Sequence, residues 1–214
     1  MNIYDQISDA EKLLFEAINI LSKIKPDPVS KTIKVAIVVG HSKDRSGSSN
    51  LDHGMSEYPF NYPISDNIVH RLNKASHNVE GVEVLRKTGL GDLIKEVNAT
   101  GADLCISLHC NAFNRTVSGC ETLYYHRSKQ GKVFAEIVQA ELFELMDNSD
   151  RGIKPKSSEE RGGWLLRETN MPCVIAEPFF IDEESDYKLG MKYRDDGQLA
   201  DAYTKAILKM VKKL

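Results

Sequence analysis

The sequence predicts an α/β protein: a single domain with a mostly parallel, twisted sheet and helices on both faces. Strand-length apolar runs alternate along the chain with amphipathic segments of helical period. The runs at residues 33–39, 102–108 and 173–176 are almost continuously apolar, which is typical of parallel strands buried on both faces. A length of 214 residues suits one well-cored domain.

The overall composition narrows the class of protein and its partners. Hydrophobic residues make up 41% of the chain and charged residues 28%, as in globular proteins. A net charge of -3 gives no electrostatic basis for binding nucleic acid. No apolar stretch approaches the roughly 20 residues that cross a bilayer. We therefore expect no nucleic-acid partner and no transmembrane segment.

Residues 1–30 are predicted to form an amphipathic helix and a linker, followed by a main domain at residues 31–214. Ser8 and Glu11 form a capping box for a helix over 8–24, and Pro26 follows its end. The helix docks on the main domain or pairs with another chain, and we favour docking. Its acidic residues do not fit a secretory signal peptide, so we expect synthesis in the cytoplasm without one.

The main domain begins with the buried strand 33–39, followed by Gly40 and His41. Residues 42–63 show no periodic pattern and are predicted to be a long ordered loop. The remaining chain is predicted to contain helices at 65–75, 90–99, 133–146, 164–167 and 198–214, and strands at 82–85, 102–108, 121–125 and 173–176. Strand 121–125 alternates in polarity and is a candidate for an edge strand and an antiparallel one. Residues 148–163 are predicted to be a charged loop.

Three side chains that can bind a metal ion or transfer a proton stand directly after buried strands. His41, His109 and Glu177 come at the ends of three separate runs. Ligands of open α/β sheets bind beyond the carboxyl ends of the strands, so these side chains are expected at one rim. Alternatively, His41 caps its strand through a hydrogen bond to a nearby carbonyl group. Residues 33–41 alone do not distinguish this structural role from a role in metal binding or proton transfer. Two imidazoles and a carboxylate are the ligand set of a catalytic zinc ion.

Hydrolysis at such a zinc ion also needs a base that is not a ligand. Glu57 in the long loop and Glu177 at the strand end are the two candidates, and the residues alone do not assign the two roles. A loop residue is free to reach the metal, whereas a residue fixed on a strand is well held to orient water. This argument favours Glu57 as the ligand and Glu177 as the base.

Several sequence motifs resemble those of one protein family. They are V-V-G-H at 38–41, Glu57, G-A-D-L-C-I-S-L-H-C-N-A at 101–112, G-C-E-T-L-Y-Y at 119–125, R-G-I-K at 151–154 and L-L-R-E-T-N-M-P-C-V-I-A-E-P-F-F at 165–180. In order and spacing the chain is similar to the zinc-dependent N-acetylmuramoyl-L-alanine amidases of the Amidase_3 family. The resemblance implies that His41, Glu57 and His109 bind one Zn²⁺ and that Glu177 is the catalytic glutamate.

The resemblance also implies a substrate, peptidoglycan, and a reaction, hydrolysis of the amide bond between N-acetylmuramic acid and the L-alanine of the stem peptide. Two features depart from the usual family pattern: V-V-G-H-S replaces D-P-G-H-G-G, and the helix at 90–99 lacks an arginine. Alternatives are another zinc peptidase or deacetylase with the same ligands, and a non-catalytic peptidoglycan-binding module. A flavodoxin-like phosphate-binding domain is a further alternative, but this chain has no glycine-rich loop after its first strand, which such a domain needs.

Two further residues are candidates for substrate contacts. Asn111 either bonds substrate or caps the turn after His109, and Arg167 either binds a stem-peptide carboxylate or pairs with Glu168 or Glu121. The four cysteines lie on or near buried strands without CxxC spacing, which favours free thiols in a reducing compartment over a disulfide. We expect a monomeric cell-wall lytic or remodelling enzyme, acting in the periplasm or outside the cell, with a phage or prophage lysin as its suggested origin.

Overall fold

The computed structural model describes residues 31–75 and 78–214. The helix predicted at 8–24, with the rest of residues 1–30, lies outside the described residues, so the predicted division of the chain stays a prediction. Residues Thr32–Leu214 form one unit. Within the described residues, no helix combines the length and the apolar character needed to cross a membrane.

The main sheet has six strands. In chain order the strands of the protein are β1 (Ile33–Val39), β2 (Ser49–Asn50), β3 (Met55–Ser56), β4 (Val79–Leu85), β5 (Leu104–Leu108), β6 (Cys120–Tyr125), β7 (Asp150–Lys156) and β8 (Cys173–Glu177). The main sheet has the order β4-β1-β5-β8-β6-β7, and β2 pairs with β3 separately. Strands β4, β1, β5 and β8 are parallel. Their carboxyl ends therefore meet at one rim.

The described residues form six helices. These are α1 (Glu57–Ala75), α2 (Leu90–Ala99), α3 (Lys129–Met146), α4 (Gly163–Glu168), α5 (Glu184–Asp195) and α6 (Gln198–Val211). Along β1, Val35 and Ile37 join a core cluster with α1, α3 and α6, while Ala36 and Val38 join a second cluster with α2 and α4. The sheet is thus covered on both faces, and the predicted α/β fold class is confirmed.

Two predictions about the sheet are wrong. Strand β6 does run antiparallel to β8, but it is not an edge, because β7 pairs with its other side. The segment 148–163, predicted as a loop, contains this edge strand. β7 has no fully buried residue, so neither a continuous nor an alternating apolar pattern marks it.

The long loop is also shorter than predicted, because α1 begins at Glu57 rather than at 65. The prolines caused this error, since proline usually interrupts helices. Pro59 lies in the first turn, where a backbone N–H has no partner within the helix, and Pro63 is accommodated farther along. Helix α5 was not predicted. The prediction of free, buried thiols is confirmed for all four cysteines.

Candidate metal centre and cleft

His41, Glu57 and His109 come together at the rim formed by the parallel strands. One ligand atom from each lies within 4.8 Å of the others. Nε2 of His41 is 3.4 Å from Oε1 of Glu57, and Nδ1 of His109 is 3.1 Å from Oε2. His41 follows β1 and His109 follows β5, as predicted, whereas Glu57 reaches the rim from the first residue of α1. The group has the composition and the spacing to hold a metal ion.

Glu57 is held rigidly. Its side chain is 1% exposed. The backbone N–H of Ser48 donates to Oε1 at 2.8 Å, and the N–H of Cys110 donates to Oε2 at 3.0 Å. Burial by itself raises the pKa of Glu57, but the hydrogen bond with His109, the charges of His109 and His41 and the Cys110 N–H lower this pKa to about 2. Glu57 is therefore a carboxylate at neutral pH.

Burial lowers the pKa of His41, and the negative charge of Glu57 opposes this effect. A neutral imidazole is the form that binds metal. Two glycines allow the close approach of the three side chains. A Cβ atom at Gly40 would lie 1.8 Å from Nε2 of His109, and one at Gly47 would lie 2.7 Å from Cδ2 of His41. Gly47 also has a φ of 84°, which favours glycine.

Glu177 is the last residue of β8 and lines the same cleft as His41 and His109. Its side chain is nearly inaccessible, and Oε2 has no hydrogen-bond partner among residues 31–75 and 78–214. Burial raises the pKa of Glu177, with the charges of His109 and Arg161 acting in the opposite direction. A buried carboxyl with a raised pKa and an unpaired oxygen suits a group that exchanges a proton.

A cleft of about 150 Å³ opens next to these residues. His41, His109 and Glu177 line it. The other lining residues are Gly40, Arg86, Leu90, Leu93, Leu123, Arg161, Gly162, Leu165 and Ile175. Arg86 and Arg161 were not predicted. Arg86 directly follows β4, so the strand-end argument that identified the histidines would have found it, whereas no local pattern marks Arg161.

The two predicted substrate contacts are bound to other protein groups. The amide of Asn111 donates to Glu121 at 2.7 Å. Arg167 pairs with Glu168 at 3.0 Å and donates to Ser158, and neither Asn111 nor Arg167 lines the cleft. The pair with Glu168 is one of the two ion pairs that the sequence suggested for Arg167. Its other possible partner, Glu121, pairs instead with Arg151.

A mostly parallel α/β sheet with a His–Glu–His group and a buried glutamate at its carboxyl rim defines a candidate metal-dependent hydrolase. The chain belongs to the N-acetylmuramoyl-L-alanine amidase family, whose sequence pattern matches residues 35–209. The predicted amidase family is thereby confirmed, and the zinc dependence that the resemblance implies stays a prediction.

Several proteins show sequence similarity. An uncharacterized cell wall amidase of Bacillus anthracis is 31% identical over 107 residues, which cover 46% of this chain and 19% of the relative. The N-acetylmuramoyl-L-alanine amidase LytC of Bacillus subtilis is 26% identical over 175 residues, or 78% of this chain and 33% of LytC. An endolysin of Bacillus phage SPP1 is 27% identical over 127 residues, which cover 56% of this chain and 44% of the endolysin. The chain thus spans less than half the length of these three relatives.

The fold agrees with that of a solved N-acetylmuramoyl-L-alanine amidase. The N-acetylmuramoyl-L-alanine amidase from Clostridium difficile 630 superimposes with a TM-score of 0.76 at 26% identity. The match covers 86% of this chain and 98% of the other. The core architecture of the two proteins is therefore shared.

Proposed function

We propose that the protein is a zinc-dependent amidase that hydrolyses the bond between N-acetylmuramic acid and the L-alanine of the stem peptide in peptidoglycan. The observation that carries the proposal is the convergence of His41, Glu57 and His109 beside Glu177. Membership of the amidase family supports the substrate class. Similarity to the phage SPP1 endolysin supports a lytic role, with a phage or prophage origin.

Zinc fits the three side chains better than a hard cation does. Two imidazole nitrogens and one carboxylate are its usual catalytic set, whereas Mg²⁺ and Ca²⁺ prefer oxygen ligands. The Ser48 and Cys110 amides fix the orientation of the Glu57 carboxylate, a role that supporting residues commonly have around metals. When bound, zinc supplies an acidified water molecule and a positive charge for the developing oxyanion.

Glu177 acts as the proton carrier. It accepts the proton of the water that attacks the lactyl carbonyl, and it delivers that proton to the L-alanine nitrogen as the amide bond breaks. Its buried position and the raised pKa fit both steps, because the carboxyl group then holds the proton long enough to transfer it. The products are a free lactyl carboxylate on the glycan and a peptide with a free amino terminus.

Product analysis on purified peptidoglycan tests the proposal. The zinc-loaded full chain should release peptides with new amino-terminal L-alanine and leave the sugar amines acetylated. Glu177→Gln should lower kcat by about 10²–10⁴-fold, because it removes the proton carrier, while zinc content stays at the wild-type value. Glu136→Gln, an exposed change on α3, is the matched control and should keep full activity.

Other products would reject the proposal. Released acetate would identify a deacetylase, and new amino termini at other residues would identify a different peptidase. Zinc-loaded protein that binds peptidoglycan without cleaving it would identify a binding module.

A further inference from the structure

Two arginines share the cleft with the proposed catalytic residues. Arg86 follows β4, and Arg161 precedes Gly162 at the start of α4. Both guanidinium-bearing residues line the same cleft as His41, His109 and Glu177, so they lie close to the proposed catalytic centre. They come from different parts of the chain, Arg86 from the β4–α2 connection and Arg161 from the β7–α4 connection, and β4 and β7 are the two edge strands of the main sheet.

Both arginines are without a carboxylate ion-pair partner in the part of the chain that the structure describes. Arg86 donates to two backbone carbonyls, from Nε to Thr88 at 3.1 Å and from Nη1 to Gly40 at 3.5 Å. These bonds fix the guanidinium next to the turn that leads to His41 and leave other N–H groups available.

The remaining wall of the cleft is aliphatic. It is formed by Leu90, Leu93, Leu123, Leu165 and Ile175. Leucine and isoleucine side chains offer no hydrogen bonds to the hydroxyl groups of a glycan strand, whereas they pack well against alanine and against peptide backbone carbon atoms. At about 150 Å³ the cleft is smaller than the roughly 300–1,000 Å³ of a complete small-molecule site. It therefore suits one part of a larger substrate, the peptide part.

We infer that this cleft binds the stem peptide next to the scissile amide, and that Arg86 and Arg161 bind a carboxylate of that peptide. The inference rests on the proposed function, and it adds a specificity: preference for an acidic stem peptide over an amidated one. Guanidinium groups bind carboxylates through two parallel hydrogen bonds, which lysine does not reproduce. Because both arginines lack an acidic partner in the described chain, the substrate does not have to displace one.

A matched pair of substrates tests this specificity. One is N-acetylmuramoyl-L-alanyl-D-glutamate, and the other is the same compound with both carboxylates converted to amides. The zinc-loaded wild type should cleave the acid with a kcat/KM about 10- to 100-fold higher than the amide, the range expected for charge-assisted hydrogen bonds. Arg161→Gln and Arg86→Gln should each lose most of this preference through a higher KM.

The controls separate charge, geometry and folding. Arg161→Lys keeps the charge but not the planar fork, so its loss should be smaller than that of Arg161→Gln. Arg127→Gln removes an exposed arginine after β6, a strand that runs toward the opposite rim, and should leave both substrates unaffected. A far-ultraviolet circular dichroism spectrum and a melting temperature equal to those of the wild type show that Arg161→Gln is folded.

A binding measurement gives a readout that does not depend on hydrolysis. Trp164 is the single tryptophan of the chain, is 47% exposed, and lies near Gly91 and directly before Leu165 at the cleft. Titration of the zinc-loaded full chain with L-alanyl-D-glutamate should change Trp164 fluorescence. The diamide, or either Gln variant, should need about tenfold more peptide for the same change.

The outcomes separate the two proposals. If the wild type cleaves and binds the acid and the amide equally, the inference is wrong and the amidase function stands. If neither compound is cleaved, the proposed function fails, and the fluorescence titration alone decides whether the cleft binds an acidic peptide.

Discussion

The backbone of Gly40 lies against the imidazole of His109 so closely that a Cβ atom at residue 40 would be 1.8 Å from Nε2. Residue 40 must therefore be a glycine if His109, which follows the neighbouring strand β5, is to keep its position. This contact links the V-V-G-H turn to the geometry of the whole site, although the turn lacks the additional glycines that the family usually has.

Gly40→Ala should displace His109 and weaken the metal site. Residues that position a metal ligand commonly change metal affinity about 10- to 100-fold when mutated, and we expect a loss of this size in zinc affinity with a parallel loss of activity. Competition with a chromophoric chelator measures the affinity. Gly89→Ala is the control, because a Cβ atom there meets nothing within 4 Å and its φ is -71°. Unchanged zinc affinity in Gly40→Ala would contradict the proposed steric role.

Removal of the metal should abolish hydrolysis and lower the melting temperature, and added zinc should restore both. Zinc at about 100 times its Kd stabilises the folded state by about 2.7 kcal/mol, which corresponds to about 5–10 °C for a domain of this size. Differential scanning calorimetry with and without zinc measures the shift. His41→Ala and His109→Ala should lose activity and show no zinc-dependent shift. Full activity after prolonged chelation would rule out the metal mechanism.

The parallel half of the sheet and three of the four central residues could be predicted from sequence, for a physical reason. Strands β1, β5 and β8 are buried on both faces, so their sequences are apolar runs with distinct ends. The polar residue after each run then marks the rim. This argument depends only on local sequence, and it correctly placed His41, His109 and Glu177 together.

The features that could not be predicted depend on contacts between distant segments. Strand β7 forms from a polar segment because β6 offers it an edge to pair with. Helix α1 tolerates its prolines because its apolar face, including Phe60 and Ile68, is fully buried in the core. Arg161 reaches the cleft only through the path of the chain between β7 and α4. None of these contacts has a local signature.

Arg151 should stabilise the protein by neutralising Glu121, which is opposite Glu177 in the β6–β8 register. Nε of Arg151 donates to Glu121 at 2.7 Å, and the Glu121 side chain is only 12% exposed. Arg151→Met leaves this carboxylate without its counter-charge and should cost about 1–3 kcal/mol in urea unfolding. The double variant with Glu121→Gln should recover part of the loss. Strictly additive losses would show that the pair is not coupled.

Glu141 should make a pH-dependent contribution to stability, far from the metal ligands. Its side chain on α3 is 4% exposed and pairs with Lys205 at 3.1 Å and with Lys209, both on α6. Burial alone raises the pKa of Glu141, but the two lysines lower it below its ordinary value. Since the unfolded chain then binds the proton more tightly, the contribution is complete above the ordinary pKa of 4.5 and disappears as pH falls through the lower folded pKa.

Glu141→Gln should therefore destabilise the protein at pH 7 by about 1 kcal/mol, a modest value because both lysines are more than half exposed. Urea unfolding at pH 7 and at pH 3 measures the difference, which should be smaller at pH 3 because the wild-type carboxylate becomes partly protonated. Glu136→Gln, whose exposed partner Lys132 is 4.0 Å away, should have almost no effect at either pH. An equal loss of stability for Glu141→Gln at both pH values would contradict a role for the charge of Glu141 and would indicate that packing between α3 and α6 is what the substitution disturbs.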